Sequence, residues 1–153
     1  RRKSARLKFM KNRIDVENIS NKNEAPPAGL EKMVNWILQQ NHQEHSWTIT
    51  IVFVDDSFII EQNQKYFNKS TPTDVISFNL SDSEDEPEGE IYISVDTAKR
   101  NADYYQVTLD NEMLRLVAHG VYHLLNHNDT TPEEKDNMSR LENKALEYIY
   151  STF

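Results

Sequence analysis

The chain has 153 residues, 37% of them hydrophobic and 27% charged, which suits one globular domain with a sizeable core. It has a net charge of −8 and no cysteine, which excludes disulfide scaffolds, thiolate zinc sites and cysteine nucleophiles, and a reducing cytoplasm is expected. No apolar run approaches the roughly 20 residues of a membrane span, and no leader pattern opens the chain.

Residues 1–13 hold seven Lys or Arg and no acid, which leaves −15 of the overall −8 on residues 14–153. The arm reads as a tail or a cloning remnant, with nucleic-acid binding as the alternative, and residues 14–153 as one domain. The acidic body opposes broad, nonspecific binding of phosphates. Ile14 and Val16 predict a short first strand. Leu30, Met33, Val34, Ile37 and Leu38 fall on one helical face, after Pro26 and Pro27. His42 and His45 follow in a polar stretch and read as surface residues. Trp47 to Val54 is β-rich and apolar on both faces, as expected of a central strand. Asp56 is the expected N-cap of a helix reaching Phe67. Thr73 to Phe78 and Glu90 to Val95 read as strands, joined by an acidic stretch from Ser81 to Glu90 whose simplest role is a solvated loop. Asp96 is the expected cap of a helix to Tyr105. Two helices close the chain. One spans Leu109 to Leu125; the other starts at Thr131 as N-cap, with Pro132 first and Glu134 three residues past the cap. The pattern predicts an α+β (α/β-like) fold: a mixed sheet of about four strands with packed helices.

The chemistry-bearing segment is His119-Gly120-Val121-Tyr122-His123-Leu124-Leu125-Asn126-His127-Asn128-Asp129. Residues four apart on a helix lie on one face, roughly 6 Å apart along the axis. His119 and His123 therefore converge at the edge of the core and suit one ion at the end of this helix. His127 continues the series, but lies about 12 Å from His119 on a straight helix. The helix must end first. Asn126 tolerates the left-handed conformation of a C-terminal cap, and the chain beyond it folds back. Spacing leaves His127 and Asp129 both open as the third donor. Three protein ligands leave room for water, which zinc brings toward neutral pKa, and hydrolysis is the implied chemistry. A peptidase of the H-E-x-x-H kind has its base after the first histidine; here that residue is Gly120. Glu112 and Arg115, on the same side one or two turns earlier, read as a surface ion pair, with support of the metal ligands as the alternative.

With these residues in view, the sequence resembles the YbeY family of bacterial endoribonucleases and ribosomal RNA maturation factors. The family signature H-G-x-x-H-L-x-G-Y-D-H is matched in place by His119, Gly120, His123 and Leu124. Its third histidine falls on Asp129, its later glycine on Asn126 and its tyrosine on His127. Thr73-Asp74-Val75-Ile76-Ser77-Phe78 and Gly89-Glu90-Ile91-Tyr92-Ile93-Ser94 match two further family segments, and order and spacing agree from Ile14 to Ile149. The resemblance implies one zinc ion, or another divalent transition metal, held by His119, His123 and Asp129. It implies cleavage of single-stranded RNA in maturation of small-subunit ribosomal RNA, with ribosomal RNA or the small subunit as partner. A carboxylate in the third place makes the ion less positive and admits other metals. Where the family has an arginine implicated in activity, this chain has Phe67, and Lys69 is the nearby candidate to steady a phosphate. The competing readings are a ribosome-associated factor with a structural metal and a metallohydrolase of another substrate.

Overall fold

The computed structural model describes residues 11–22, 25–41, 45–68 and 73–152. Four strands, β1 (Arg13–Asn18), β2 (Thr48–Val54), β3 (Val75–Asn79) and β4 (Glu88–Ser94), form one sheet in the order β1-β2-β4-β3. The pairs β1–β2 and β2–β4 are parallel and β3–β4 is antiparallel, so the sheet is mixed, as predicted. β2 is central, and Ile51 to Val54 are buried on both faces. Arg13, grouped with the basic arm on charge, is the first residue of β1.

Side chains alternate across the sheet. Ile49, Ile51, Phe53, Ile91 and Ile93 join the main core with α1 (Leu30–Gln40), α4 (Leu109–Leu124) and α5 (Pro132–Ser151). On the other face Val52, Val54 and Ile76 pack with Ile59 of α2 (Asp56–Phe67). At ~25 cal/mol per Å² of apolar surface, each such fully buried Ile or Val contributes roughly 1.5–3 kcal/mol before entropy is counted.

Two caps differ from expectation. Asp55, not Asp56, is the N-cap of α2, and Ser94, not Asp96, caps α3 (Val95–Tyr105), its hydroxyl accepting from Thr97 N–H. The two aspartates instead serve each other's helix. Asp96 Oδ2 accepts the Asp56 N–H at 2.9 Å, and Asp56 accepts from Ser94 Oγ, Thr97 Oγ1 and Arg100 at 2.6–2.8 Å. Both helices leave parallel strands side by side, so each positive N-terminus has the other's carboxylate within reach. For the same reason β4 ends at Ser94, and Val95 is helical.

Two glycines set how close α4 comes to the sheet. A Cβ on Gly120 would lie 2.7 Å from Ile91 Cγ2 and 3.1 Å from Ser77 Oγ, and one on Gly89 would lie 2.5 Å from Leu124 Cδ1. Ser77 Oγ donates to the Gly120 carbonyl at 3.0 Å across this tight contact. Bare backbone at 120 therefore presses α4 against β3 and β4, and this holds the two flanking histidines at the sheet edge.

Candidate metal centre

α4 ends where the sequence predicts a break. Asn126 is left-handed, with φ of 70°, and the N–H groups of Asn126 and His127 bond to the carbonyls of His123 and Tyr122, both at 3.0 Å. This is a Schellman motif with asparagine in the glycine position. Five residues later Thr131 opens α5 with a full capping box: its hydroxyl takes the Glu134 N–H, and Glu134 takes the Thr131 N–H. The intervening turn is thus fixed at both ends, and it carries Asp129 back over α4.

The result is a compact triangle. His119 Nε2 and His123 Nε2 are 3.0 Å apart, and Asp129 Oδ2 is 3.3 Å from the first and 3.4 Å from the second. A tetrahedral ion with bonds of about 2.0–2.1 Å spaces neighbouring donors roughly 3.3–3.4 Å apart. The two separations to Asp129 match that spacing, the His119–His123 separation is shorter, and the three atoms could hold a metal ion. His127 stands outside the cluster, its ring edge-on to Tyr122 at 5.6 Å. The side chains are 21%, 30% and 35% exposed for His119, His123 and Asp129, which leaves one side of the triangle open.

Glu142 of α5 orients the first histidine. Its Oε2 lies 2.7 Å from His119 Nδ1 and its Oε1 accepts from Arg115 at 3.1 Å, while Arg115 also donates to Asn143. A proton on Nδ1 bonded to Glu142 leaves the Nε2 lone pair facing the triangle, which is the tautomer a cation needs. Burial opposes charge on His119, but Glu142, and then Asp129 and Asp74, hold its pKa above the ordinary value.

Glu112 and Arg115 do not form the expected surface pair. Glu112 is buried, accepts from Asn101 at 3.2 Å and has its pKa pushed up by burial; Arg115 turns to Glu142. Glu142 was missed by motif reading. Its signal is an acid at the centre of the buried stripe Met138, Ala145 and Ile149, where only a partnered carboxylate is tolerated. His45 is half-buried beside Asp85 at 3.3 Å. Lys69, His42 and residues 1–10 lie outside the described residues.

Two clefts meet at the triangle. One, of about 590 Å³, passes Phe67, Thr73 and Ser77; the other, of about 540 Å³, passes Asn101, Tyr105 and Lys135. Asp74, His119 and Asp129 line both. Comparison with known proteins gives this geometry its context. The family model described as Endoribonuclease YbeY matches residues 15–150. The chain belongs to the YbeY endoribonuclease family. Among curated relatives, the endoribonuclease YbeY of Flavobacterium psychrophilum is 36% identical over 76% of this chain and 84% of its own. That of Chloroherpeton thalassium is 36% identical over 84% and 90%, and that of Syntrophus aciditrophicus 41% identical over 64% and 66%. A solution structure of a Thermotoga maritima protein shares the fold, with a TM-score of 0.57 at 22% identity over 91% of this chain and 93% of that one. The glycine directly after the first histidine, Gly120, is the residue that lets the helix touch Ile91.

Proposed function

We propose that this chain cleaves single-stranded RNA at a divalent metal, with zinc the leading candidate, held by His119, His123 and Asp129, and that it acts in maturation of small-subunit ribosomal RNA. As a member of the YbeY family it is an endoribonuclease, a hydrolase of phosphodiester bonds. The observation that carries the metal reading is the triangle of 3.0, 3.3 and 3.4 Å, whose three atoms offer more lone pairs than protons to separate them. When bound there, the ion supplies Lewis-acid stabilisation of charge developing on the phosphate. The chain's own groups do the rest. Glu142 fixes the His119 tautomer, and Arg115 holds Glu142 in place. The two capped helix ends hold Asp129 in position, and the clefts give the strand a path past the triangle on either side. Lys69 remains the proposed phosphate contact. In the described residues no helix is long and apolar enough to cross a membrane, in keeping with an RNA target in the cytoplasm.

A single-turnover assay on structured ribosomal RNA tests the reading, with His123→Ala as the paired variant. Cleavage by the wild type that falls by orders of magnitude in the variant is the expected result. Equal cleavage by both would reject the metal-centred mechanism.

A further inference from the structure

The two clefts share an aromatic feature that the triangle does not account for. α2 ends in Tyr66-Phe67 and α3 in Tyr104-Tyr105, and each pair is followed by a left-handed residue, Asn68 with φ of 54° and Gln106 with φ of 56°. All four rings are exposed: Phe67 by 49%, Tyr66 by 54%, Tyr105 by 63% and Tyr104 by 81%. Exposed apolar residues are ordinary when scattered. These come as consecutive pairs at the ends of the two helices that leave β2 and β4. Phe67 lines the cleft on the β3 side of the triangle, and Tyr105 lines the cleft on the α5 side. Phe67 lies near-parallel to Phe78, ring centroids 6.2 Å apart.

Beyond the proposed Lys69 contact, charge on the described residues does little to explain how RNA would be held here. Among the described residues the cleft past Phe67 is lined by no Lys or Arg. The cleft past Tyr105 has Lys135 and Arg115, the latter engaged by Glu142 and Asn143. The body around them is strongly acidic. Aromatic rings hold single strands by another route: any unpaired base can stack on them, whereas the bases of a duplex are already stacked.

Resting on the endoribonuclease reading above, we propose that Phe67 and Tyr105 are base-stacking stations flanking the metal triangle. Single-stranded RNA crosses the triangle with one base on Phe67 to one side and another on Tyr105 to the other. The stations supply affinity and select unpaired RNA, while the triangle acts on the phosphate between them.

The test uses a fluorescein-labelled single-stranded 2′-O-methyl RNA, shown intact on gels, and its duplex, bound to the full chain and followed by anisotropy. Phe67→Leu and Tyr105→Leu keep apolar bulk without a ring, and Phe67→Trp restores one. Each Leu variant should bind the single strand roughly 10-fold more weakly, Phe67→Trp should match the wild type, and the weak duplex binding should not change. A 2-aminopurine base in the strand should be quenched by the wild type and less so by the Leu variants. Leu variants that bind as tightly as a wild type that does bind RNA would overturn the stacking proposal and leave the nuclease reading standing. A wild type that binds no single-stranded RNA would overturn both.

Discussion

Glu142 decides which nitrogen of His119 faces the triangle, because its carboxylate takes the Nδ1 position at 2.7 Å. Such a partner fixes both tautomer and ring orientation, and its loss in known metal sites costs 10–100-fold in affinity (about 1.4–2.7 kcal/mol). Glu142→Gln keeps the shape and can offer either amide end to the ring. It should weaken zinc binding by roughly 10–100-fold, read by competition with a chromophoric chelator; unchanged affinity would mean that Glu142 is only a partner for Arg115. Asp129 stands where the family signature has its third histidine. It still reaches both imidazoles, because a shorter side chain on a turn pinned at Asn126 and Thr131 can be carried to the ring atoms by backbone.

Helix α4 owes its position to backbone contact, not to side-chain packing alone. Gly120→Ala would push a methyl into Ile91 at 2.7 Å, and Ile91 is central and fully buried. Alanine favours an isolated helix by about 1 kcal/mol, but overpacking of this kind costs typically 1–3 kcal/mol, so the net expectation is a modest loss of stability with a larger loss of cleavage as His119 and His123 shift. Urea denaturation and single-turnover rates measured together check it; a variant as active and as stable as the wild type would remove the close-approach argument. The paired caps of α2 and α3 carry a pH signature. Burial works against the Asp56 carboxylate, but hydrogen bonds from Ser94, Arg100 and Thr97 outweigh it and hold its pKa below the usual carboxylate value. A depressed folded pKa means that Asp56 stabilises the fold fully above the unfolded value of about 3.9. That contribution is lost as pH falls through the lowered value. Urea midpoints of the wild type should therefore drop more steeply below about pH 4 than those of Asp56→Asn; parallel curves would contradict the assignment. At this scale the sequence was most legible. Periodicity, β-rich runs and candidate caps together located every described helix and strand, and Thr131-Pro132-Glu134 fixed the start of α5. It erred at Asp56 and Asp96 because each was matched to its own helix, and capping across two neighbouring helices has no signal along one chain. Glu142 was hidden for the same reason: its partners, His119 and Arg115, are on another helix.

For the molecule as a whole, the triangle ties α4 to the turn before α5, and Glu142 ties α4 to α5 itself. A metal held there binds only the folded chain and so adds stability by mass action, about 2.7 kcal/mol at a hundredfold excess over its Kd. Dialysis against a strong chelator should lower Tm by several degrees, and one equivalent of zinc should restore it; calorimetry showing no change would argue against a site coupled to the fold. The family's histidine pair was plain in the sequence, but the choice between His127 and Asp129 was not, because it turns on where the chain goes after a left-handed residue. The packing of His127 against Tyr122 and the return of Asp129 over α4 support the proposed choice of Asp129. Elemental analysis of the purified protein beside Asp129→Ala and His127→Ala tests this directly. The account predicts about one metal per chain in the wild type and in His127→Ala, and little in Asp129→Ala. A metal-free wild type, or full occupancy in Asp129→Ala with loss in His127→Ala, would contradict it.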